Sequence, residues 1–287
     1  MSRFELVWDT RCQVGESPVW DAGGNRLLFA DIYSRRILRY GASGPEGHWT
    51  LPDIVPSFGL CASGRIVAAQ RRQVVLFDPM SGLATPLADI FDEPDTNRLN
   101  DGKVGPDGCF WVGSMDTRPD KEPVGSLYRI TPEGKVERKV EGFKIFNGLA
   151  WSPDARVMFH ACTRSYVIDA WDFDKQTGRI SNRRRIATLT DQEGRPDGGA
   201  FDSTGCYWSA GVSAGRINRF SLSGRLLGWF DFPLPAPTMP CFAGHDLYVT
   251  SLYENREHLR EQYPTLGGLF RMRAGVSGAP VARFADA

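Results

Sequence analysis

One module recurs along this chain and constrains its fold more than any other feature. In each copy an acidic or amide residue precedes a polar, Gly-containing turn, and the turn leads into a short apolar or aromatic strand. Clear copies begin at Gly15 (GESPVWDAGGNRLLFAD), Asn100 (NDGKVGPDGCFWVGSMD), Asn147 (NGLAWSPDARVMFHACT) and Arg195 (RPDGGAFDSTGCYWSAG), and weaker copies begin at Gly59 and Cys241. A spacing of roughly 40 to 50 residues without a long helical stretch is typical of propeller blades. The repeat predicts an all-β, six-bladed β-propeller.

A second set of six segments alternates with the first. Each alternates apolar and polar residues and ends in a Gly-containing turn, as expected for strands that approach solvent. These segments begin at Arg35 (RRILRYG), Gln73 (QVVLFDPMSG), Gly125 (GSLYRITPEG), Tyr166 (YVIDAWDFDKQTG), Gly215 (GRINRFSLSG) and Gly267 (GGLFRMRAG). We expect one domain over residues 1–287, with FELVWD near the N-terminus pairing in the C-terminal blade to close the ring.

Two segments are longer than hairpin loops and could cover one end of a propeller. They run from Ala88 to Asn100 and from Ser251 to Gly268. Within the second, YENREHLREQY is compatible with a short helix or with a solvated loop.

The composition limits the partners that this chain can have. Among 287 residues, 34 Lys and Arg balance 34 Asp and Glu, so no overall field favours nucleic acid or an anionic membrane. No apolar stretch is as long as that of a signal peptide or of a membrane span of roughly 20 residues. This predicts a soluble, cytoplasmic protein. A closed propeller needs no partner, so we expect a monomer.

The six cysteines predict neither disulfides nor a zinc site. They lie one per module, at positions 12, 61, 109, 162, 206 and 241, and no CxxC pair occurs. This spacing favours reduced thiols packed as small apolar side chains.

Oxygen-bearing side chains stand near the start of several predicted inner strands. Glu16, Asn100, Asn147 and Asp197 each lie beside a glycine or another small residue. A lone NDG or PDGG is usually a structural turn, but inner strands converge on a central channel, where equivalent residues of different blades meet. Carboxylate and amide oxygens suit Ca²⁺, Mg²⁺ or Mn²⁺. The pattern therefore predicts a divalent-metal site at one mouth of the channel.

Four motifs in register carry a resemblance to a known family. They are GESPVW, NRLNDGKVGPDG, NGLAWSPD and PDGGAFD. With them the chain resembles, over nearly its whole length, the senescence marker protein 30/gluconolactonase family of sugar lactonases. The resemblance implies a six-bladed propeller that uses one divalent metal ion to hydrolyse an aldonolactone to the aldonic acid. It also implies that Glu16, Asn147 and Asp197 bind the metal and that Arg98 and Asn100 hold the substrate.

Lactone hydrolysis needs a polarised carbonyl, an activated water and a proton for the leaving alkoxide. The metal would supply the first, and its identity (Ca²⁺, Zn²⁺, Mg²⁺, Mn²⁺ or Fe²⁺) stays open. Asp197 is the candidate general base as well as a metal ligand. Arg98 would stabilise charge developing on oxygen or bind hydroxyl groups of the substrate, and the amide of Asn100 would bind hydroxyl groups.

One segment departs from the family pattern. Some members carry acidic residues after the strand that follows NDGK, and these reach the hydroxyl groups of the substrate. Here the segment reads GSMDTRPDKEP, in which Asp116 is the remaining acidic candidate for substrate binding and Arg118 stands where a glutamate is expected. The preferred sugar of other members is therefore not transferable to this chain.

Two other functions compete with the sugar lactonase. One is a non-catalytic calcium-binding propeller, and the other is a metal-dependent esterase that acts on a non-sugar lactone or an organophosphate. The aspartates of the later turns, Asp107, Asp154 and Asp202, are interpreted as structural, and His160 as a buried, hydrogen-bonded core residue.

Overall fold

A computed structural model describes residues 3–253 and 256–287. In this part of the chain, 24 strands form six four-stranded antiparallel sheets. Blade 1 contains β2 Gly15–Asp21, β3 Arg26–Asp31, β4 Arg36–Gly41 and β5 Gly44–Thr50; blade 2 contains β6 Ser57–Leu60, β7 Ile66–Ala69, β8 Gln73–Phe77 and β9 Ala84–Asp89; blade 3 contains β10 Asn97–Val104, β11 Phe110–Asp116, β12 Gly125–Ile130 and β13 Val136–Phe143.

The second half of the chain repeats this arrangement. Blade 4 contains β14 Phe146–Trp151, β15 Val157–Cys162, β16 Val167–Asp174 and β17 Arg179–Thr188; blade 5 contains β18 Arg195–Phe201, β19 Tyr207–Val212, β20 Arg216–Phe220 and β21 Leu226–Asp231; blade 6 contains β22 Pro237–Ala243, β23 Asp246–Ser251, β24 Leu269–Arg273 and the N-terminal strand β1 Glu5–Trp8. The predicted six-bladed propeller is confirmed.

The ring closes as the sequence predicts. Strand β1 pairs antiparallel with β24, with Glu5 opposite Arg271 and Leu6 opposite Phe270. Trp8 then packs edge-on against Phe29 of the next blade, with 5.7 Å between the ring centroids. The N-terminal strand therefore completes the last blade and contacts the first, and the edge of β24 is not left open.

Burial falls from the centre of each blade outward. The inner strands β6 and β14 are buried at every residue, whereas most of the outer strands β5 and β17 is exposed. Because these inner strands are covered on both faces, β6 (SFGL) and β14 (FNGLAW) are mostly apolar or small, and the alternating pattern begins farther out. The inner strands also contact one another around the ring, so residues far apart in sequence share the central channel.

The later turn aspartates are structural, as the sequence predicts. The carboxylate of Asp202 accepts hydrogen bonds from the indole of Trp208 (2.9 Å) and from Arg219 (2.9 Å). Asp107 is bonded in the same way to Trp111 (3.1 Å) and Arg129 (2.7 Å). Each aspartate thus fixes a turn to the two strands that follow it.

The remaining core predictions also agree with the structure. His160 is fully buried and accepts a 3.0 Å hydrogen bond from Trp171, and burial lowers the pKa of its imidazole to about 3. The six cysteines are free thiols; five are buried and Cys206 is partly exposed.

Between β23 and β24, the segment YENREHLREQY contains a short helix, α1 Glu257–Gln262. Glu254 and Asn255 of this segment lie outside the described residues. No helix in the described ranges is long and apolar enough to cross a membrane. The single domain over 1–287, the monomeric state and the cytoplasmic location stay predictions.

Candidate active site

Backbone bulges at the same place in five inner strands position the side chains that face the channel. In each strand the pairing with its neighbour skips two residues after the last paired residue. The last paired residues are Glu16, Leu99, Asn147, Pro196 and Pro237. Strand β6 has an uninterrupted register instead. A bulge re-aims side chains locally and strengthens the twist, so the five bulges bring the side chains of different blades to one level of the channel.

Glu16 is the last paired residue before the bulge of blade 1. Its carboxylate accepts a 2.9 Å hydrogen bond from the backbone N–H of Ser17. Ser17 has a φ of +50°, and its hydroxyl accepts a 3.1 Å bond from the N–H of Phe58 in blade 2. The left-handed residue is thus tied to the neighbouring blade, and it holds the Glu16 carboxylate in a fixed direction.

A chain of hydrogen bonds joins blades 3, 4 and 5. The Asn100 amide donates to the side-chain oxygen of Asn147 (3.0 Å) and to the carbonyl of Phe146 (2.9 Å). The Asn147 amide in turn donates to the hydroxyl of Thr163 (2.7 Å), and that hydroxyl donates to the carbonyl of Pro196 (2.8 Å). Pro196 immediately precedes Asp197. The structure therefore connects three of the predicted site residues through side-chain and backbone contacts.

Arg98 is a buried cation beside this chain. Its guanidinium donates 2.8 Å hydrogen bonds to the Asn100 side-chain oxygen and to the Leu99 carbonyl. The guanidinium carbon also lies 5.7 Å from the ring centroid of Tyr33, which is half exposed. The Nε atom of Arg98 is buried and has no hydrogen-bond partner in the described part of the chain. Arg98 thus orients Asn100 and keeps one donor free.

Three carboxyl groups, those of Glu16, Asp101 and Asp197, interact electrostatically near the bulges. Burial raises the pKa of Glu16 well above its ordinary value, and the charges of Asp197 and Asp101 raise it further. Burial also raises the pKa of Asp197, again assisted by Asp101. Three carboxyl groups therefore repel one another, because burial weakens the screening by water that carboxylates receive at a surface.

Asp101 and Lys103 of the NDGK motif, which were not predicted as site residues, also interact with the Glu16 carboxyl group. Asp101 occupies the second bulge position of β10; its Oδ2 accepts a 2.9 Å bond from the N–H of Leu149, and its Oδ1 is buried without a partner. Lys103 donates to the carbonyl of Gly199 across the channel, and burial lowers the pKa of its amine. The signal that could have identified them is the occurrence of two opposite charges in a strand that is otherwise buried.

Asp116 is not presented to the site as a free carboxylate. It lies at the end of β11, fully buried, and both of its oxygens accept bonds from Arg118 at 3.0 Å. The backbone N–H groups of Arg118 (3.0 Å) and Glu122 (2.8 Å) also donate to this carboxylate, and the pKa of Asp116 is held far below its usual range, chiefly by Arg118. The predicted substrate contact through Asp116 stays a prediction, while the contacts seen fold the 117–124 segment.

The donor set fits a divalent cation in its chemistry. Glu16 and Asp197 supply carboxylates, and the Asn147 side-chain oxygen, which accepts one bond from Asn100, keeps a second lone pair while its nitrogen is held by Thr163. No group of three His, Cys, Asp or Glu side chains suited to a metal ion occurs within residues 3–253 and 256–287, so the predicted set depends on the Asn147 amide. The raised pKa values give the second reason for a fit, since a cation would relieve the repulsion between these carboxylates.

Comparison with known proteins assigns the family. The model of the SMP-30/gluconolactonase/LRE-like family matches residues 14–253. The chain belongs to this family. Regucalcin of Gallus gallus is 36% identical over 99% of this chain and 98% of its own length. A 6-deoxy-6-sulfogluconolactonase of Pseudomonas putida is 36% identical over 95% of each chain.

A solved structure extends this result to three dimensions. Regucalcin from Agrobacterium tumefaciens, described as a calcium-binding protein, superposes with a TM-score of 0.89 over 97% of this chain and 96% of its own, at 24% identity. At that identity the likeness shows the propeller fold alone. The comparisons therefore confirm the predicted family and fold and bear out a lactonase-family enzyme.

Proposed function

We propose that this protein hydrolyses a sugar lactone to the aldonic acid with the help of one divalent metal ion. The proposal is supported by the hydrogen bonds that run from Arg98 through Asn100 to Asn147, and by the electrostatic interaction between the buried carboxyl groups of Glu16 and Asp197. Membership in a family with lactonases supports the same reaction. A calcium-binding scaffold without catalysis would have no need of a buried arginine with a free donor next to the ligand set.

Glu16, Asn147 and Asp197 would hold the metal ion through oxygen atoms. When bound, such an ion supplies Lewis acidity that polarises an ester carbonyl and lowers the pKa of water. Its charge would also favour the ionised forms of Glu16 and Asp197, whose pKa values are raised in the protein alone. Asp197 would then be available as a carboxylate near neutral pH.

The residues of this chain would do the remaining work. Asp197 would accept the proton of the attacking water, because no side-chain hydrogen bond occupies its carboxylate among the described residues. The Arg98 guanidinium would stabilise negative charge on the substrate oxygen. The Asn100 amide, fixed by Arg98 and Asn147, would orient the hydroxyl groups of the sugar.

The proposal is tested by following acid release with a pH indicator on a panel of pentono- and hexonolactones. The protein is first stripped of metal, and Ca²⁺, Mg²⁺, Mn²⁺, Zn²⁺ and Fe²⁺ are added back separately. We expect turnover of at least one lactone above the spontaneous rate, loss of turnover on stripping and recovery with at least one ion. Full turnover by the stripped protein would refute the metal-dependent mechanism, and metal binding without turnover of any lactone would favour the calcium-binding propeller.

A non-sugar ester is the second candidate, and the family name itself covers more than one activity. The same assay extended to simple aliphatic lactones and an organophosphate distinguishes it. Higher kcat/KM on those compounds than on every aldonolactone would overturn the sugar assignment and leave the hydrolytic site in place.

A further inference from the structure

A crevice lies next to the segments that carry the candidate active site. It has a volume of about 410 Å³ and is lined by residues 119–122, Lys144 and Arg164. Arg164 directly follows Thr163, whose hydroxyl binds the Asn147 amide. Lys144 lies three residues before Asn147, and its carbonyl accepts a 3.1 Å bond from the N–H of Asp116. The crevice is thus built from the segments that border the strand carrying Asn147.

The crevice carries more positive than negative charge. Its lining includes three cations, Lys121, Lys144 and Arg164, against the carboxylates of Asp120 and Glu122. Neither Lys144 nor Arg164 forms an ion pair or a side-chain hydrogen bond within the described ranges. The Lys121 ammonium donates only to carbonyls, those of Asp116 (2.7 Å) and Arg118 (2.9 Å).

The cation of Lys121 interacts electrostatically both with Arg164 in the crevice and with Arg98 in the candidate active site. The pKa of Lys121 is lowered by burial, and the charges of Arg164 and Arg98 lower it further against the opposing charge of Asp116. Asp116 itself cannot serve the crevice as a free anion, since Arg118 occupies both of its oxygens. The positive charge continues to Arg98, whose guanidinium donates to the side-chain oxygen of Asn100.

These observations assign a substrate class to the site. We propose that the crevice is a subsite for an anionic substituent on the lactone, a sulfonate, phosphate or carboxylate group remote from the lactone carbonyl. The inference rests on the proposed lactonase function and narrows it. Lys121, Lys144 and Arg164 bind the anion through charge-assisted hydrogen bonds, while Arg98 and Asn100 hold the sugar between the crevice and the carboxylate cluster.

The test compares neutral and anionic ligands in matched variants. The substrates are gluconolactone, its 6-phosphate, its 6-deoxy-6-sulfonate and the corresponding 6-carboxylate lactone. The variant is the double substitution Lys144→Gln with Arg164→Gln. The control is Arg156→Gln with Arg179→Gln, which removes the same charge from exposed positions in the same blade, Arg156 lying at the opposite end of β15 from Arg164.

We expect at least one anionic lactone to have a kcat/KM about tenfold or more above that of gluconolactone. The Lys144/Arg164 variant should lose roughly tenfold on that substrate through KM, as expected for about 1.4 kcal/mol of charge-assisted bonding. Its kcat/KM on gluconolactone should stay within about twofold. The control should resemble wild type on both substrates, and KM for the anionic lactone should rise with salt.

Calorimetric binding of the stable products, gluconate and 6-phosphogluconate, separates this inference from the proposed function. Tighter binding of the phosphorylated product that is lost in the Lys144/Arg164 variant supports the subsite even without turnover of any lactone. Equal binding and equal kcat/KM for neutral and anionic compounds, or the same loss in the Arg156/Arg179 control, overturns the subsite while leaving lactone hydrolysis intact. The ranking of the three anionic lactones identifies the preferred substituent.

Discussion

The hydroxyl of Thr163 offers a sharp test of how the candidate site is held together. It accepts from the Asn147 amide at 2.7 Å and donates to the Pro196 carbonyl at 2.8 Å. Thr163→Val keeps the shape of the side chain and removes both bonds. At about 1 kcal/mol net for each bond, the free energy of unfolding should fall by about 2 kcal/mol.

The larger effect should be on metal affinity. Without Thr163 the Asn147 amide can rotate and present its NH₂ group to the channel, where it repels a cation. Loss of a group that orients a ligand typically costs about 10- to 100-fold in affinity, so the dissociation constant should rise by that factor. The assay is competition with a metal-chelating dye, combined with the metal concentration needed for half-maximal lactone turnover.

Thr163→Ser is the matched control, because it keeps the hydroxyl and loses only the methyl group. It should bind metal within about threefold of wild type. The reasoning is refuted if Thr163→Val binds metal as tightly as wild type, or if Thr163→Ser loses as much affinity as Thr163→Val. A kcat that falls at saturating metal in the valine variant would indicate that Pro196 also positions Asp197.

Three further predictions distinguish chemistry from structure. Asp197→Asn should abolish lactone hydrolysis with little change in melting temperature. Asp202→Asn should lower the free energy of unfolding by about 2 kcal/mol and leave kcat unchanged. Melting and rate measurements on both variants check this, and the reverse pattern would exchange the two roles. Because the pKa values of Glu16 and Asp197 are raised on folding, that of Asp197 to about 8, the metal-free protein should lose stability as the pH rises from about 4 to 8; saturating metal should flatten this dependence in thermal melts, and a rise in metal-free stability over the window would contradict the burial of these carboxyls. A thiol reagent should modify about one cysteine in the native protein, Cys206, since the other five are buried; rapid modification of several thiols before denaturation would count against the packed core.

The repeat predicts the architecture well because a blade cannot bury its own inner strand. Every copy that begins near Gly15, Asn100, Asn147 or Arg195 contains the inner and second strands of a blade, and the second set of segments supplies the third strands. The proposal that Glu16, Asn147 and Asp197 share one site rests on the same symmetry, because each lies at the bulge of an inner strand. These features depend on periodicity, which the sequence displays directly.

Other parts of the site depend on details that periodicity does not carry. A bulge adds residues to one strand and leaves no change in composition, so the two-residue skips beside Glu16 and Asn147 were not predictable. Asp101 lies in the bulge of β10, whereas Lys103 is paired with Trp111 beyond it, and the residue pattern alone does not distinguish these positions from a turn. The ion pair between Asp116 and Arg118 depends on the conformation of one loop. A pattern of residue types does not specify that conformation.

The pairing of β1 with β24 joins residues 266 positions apart, Glu5 and Arg271, and it is also the seam of the ring. Glu16 lies in the blade on one side of the sixth blade, and Asp197 lies in the blade on the other side. An ion bound by both carboxylates would link the blades on either side of the sixth blade. It would therefore bind the closed ring more tightly than an opened one. The free energy gained from the ion would therefore be added to ring closure itself. If the proposed ion binds there, its removal would weaken ring closure at the β1–β24 pairing as well as stop hydrolysis.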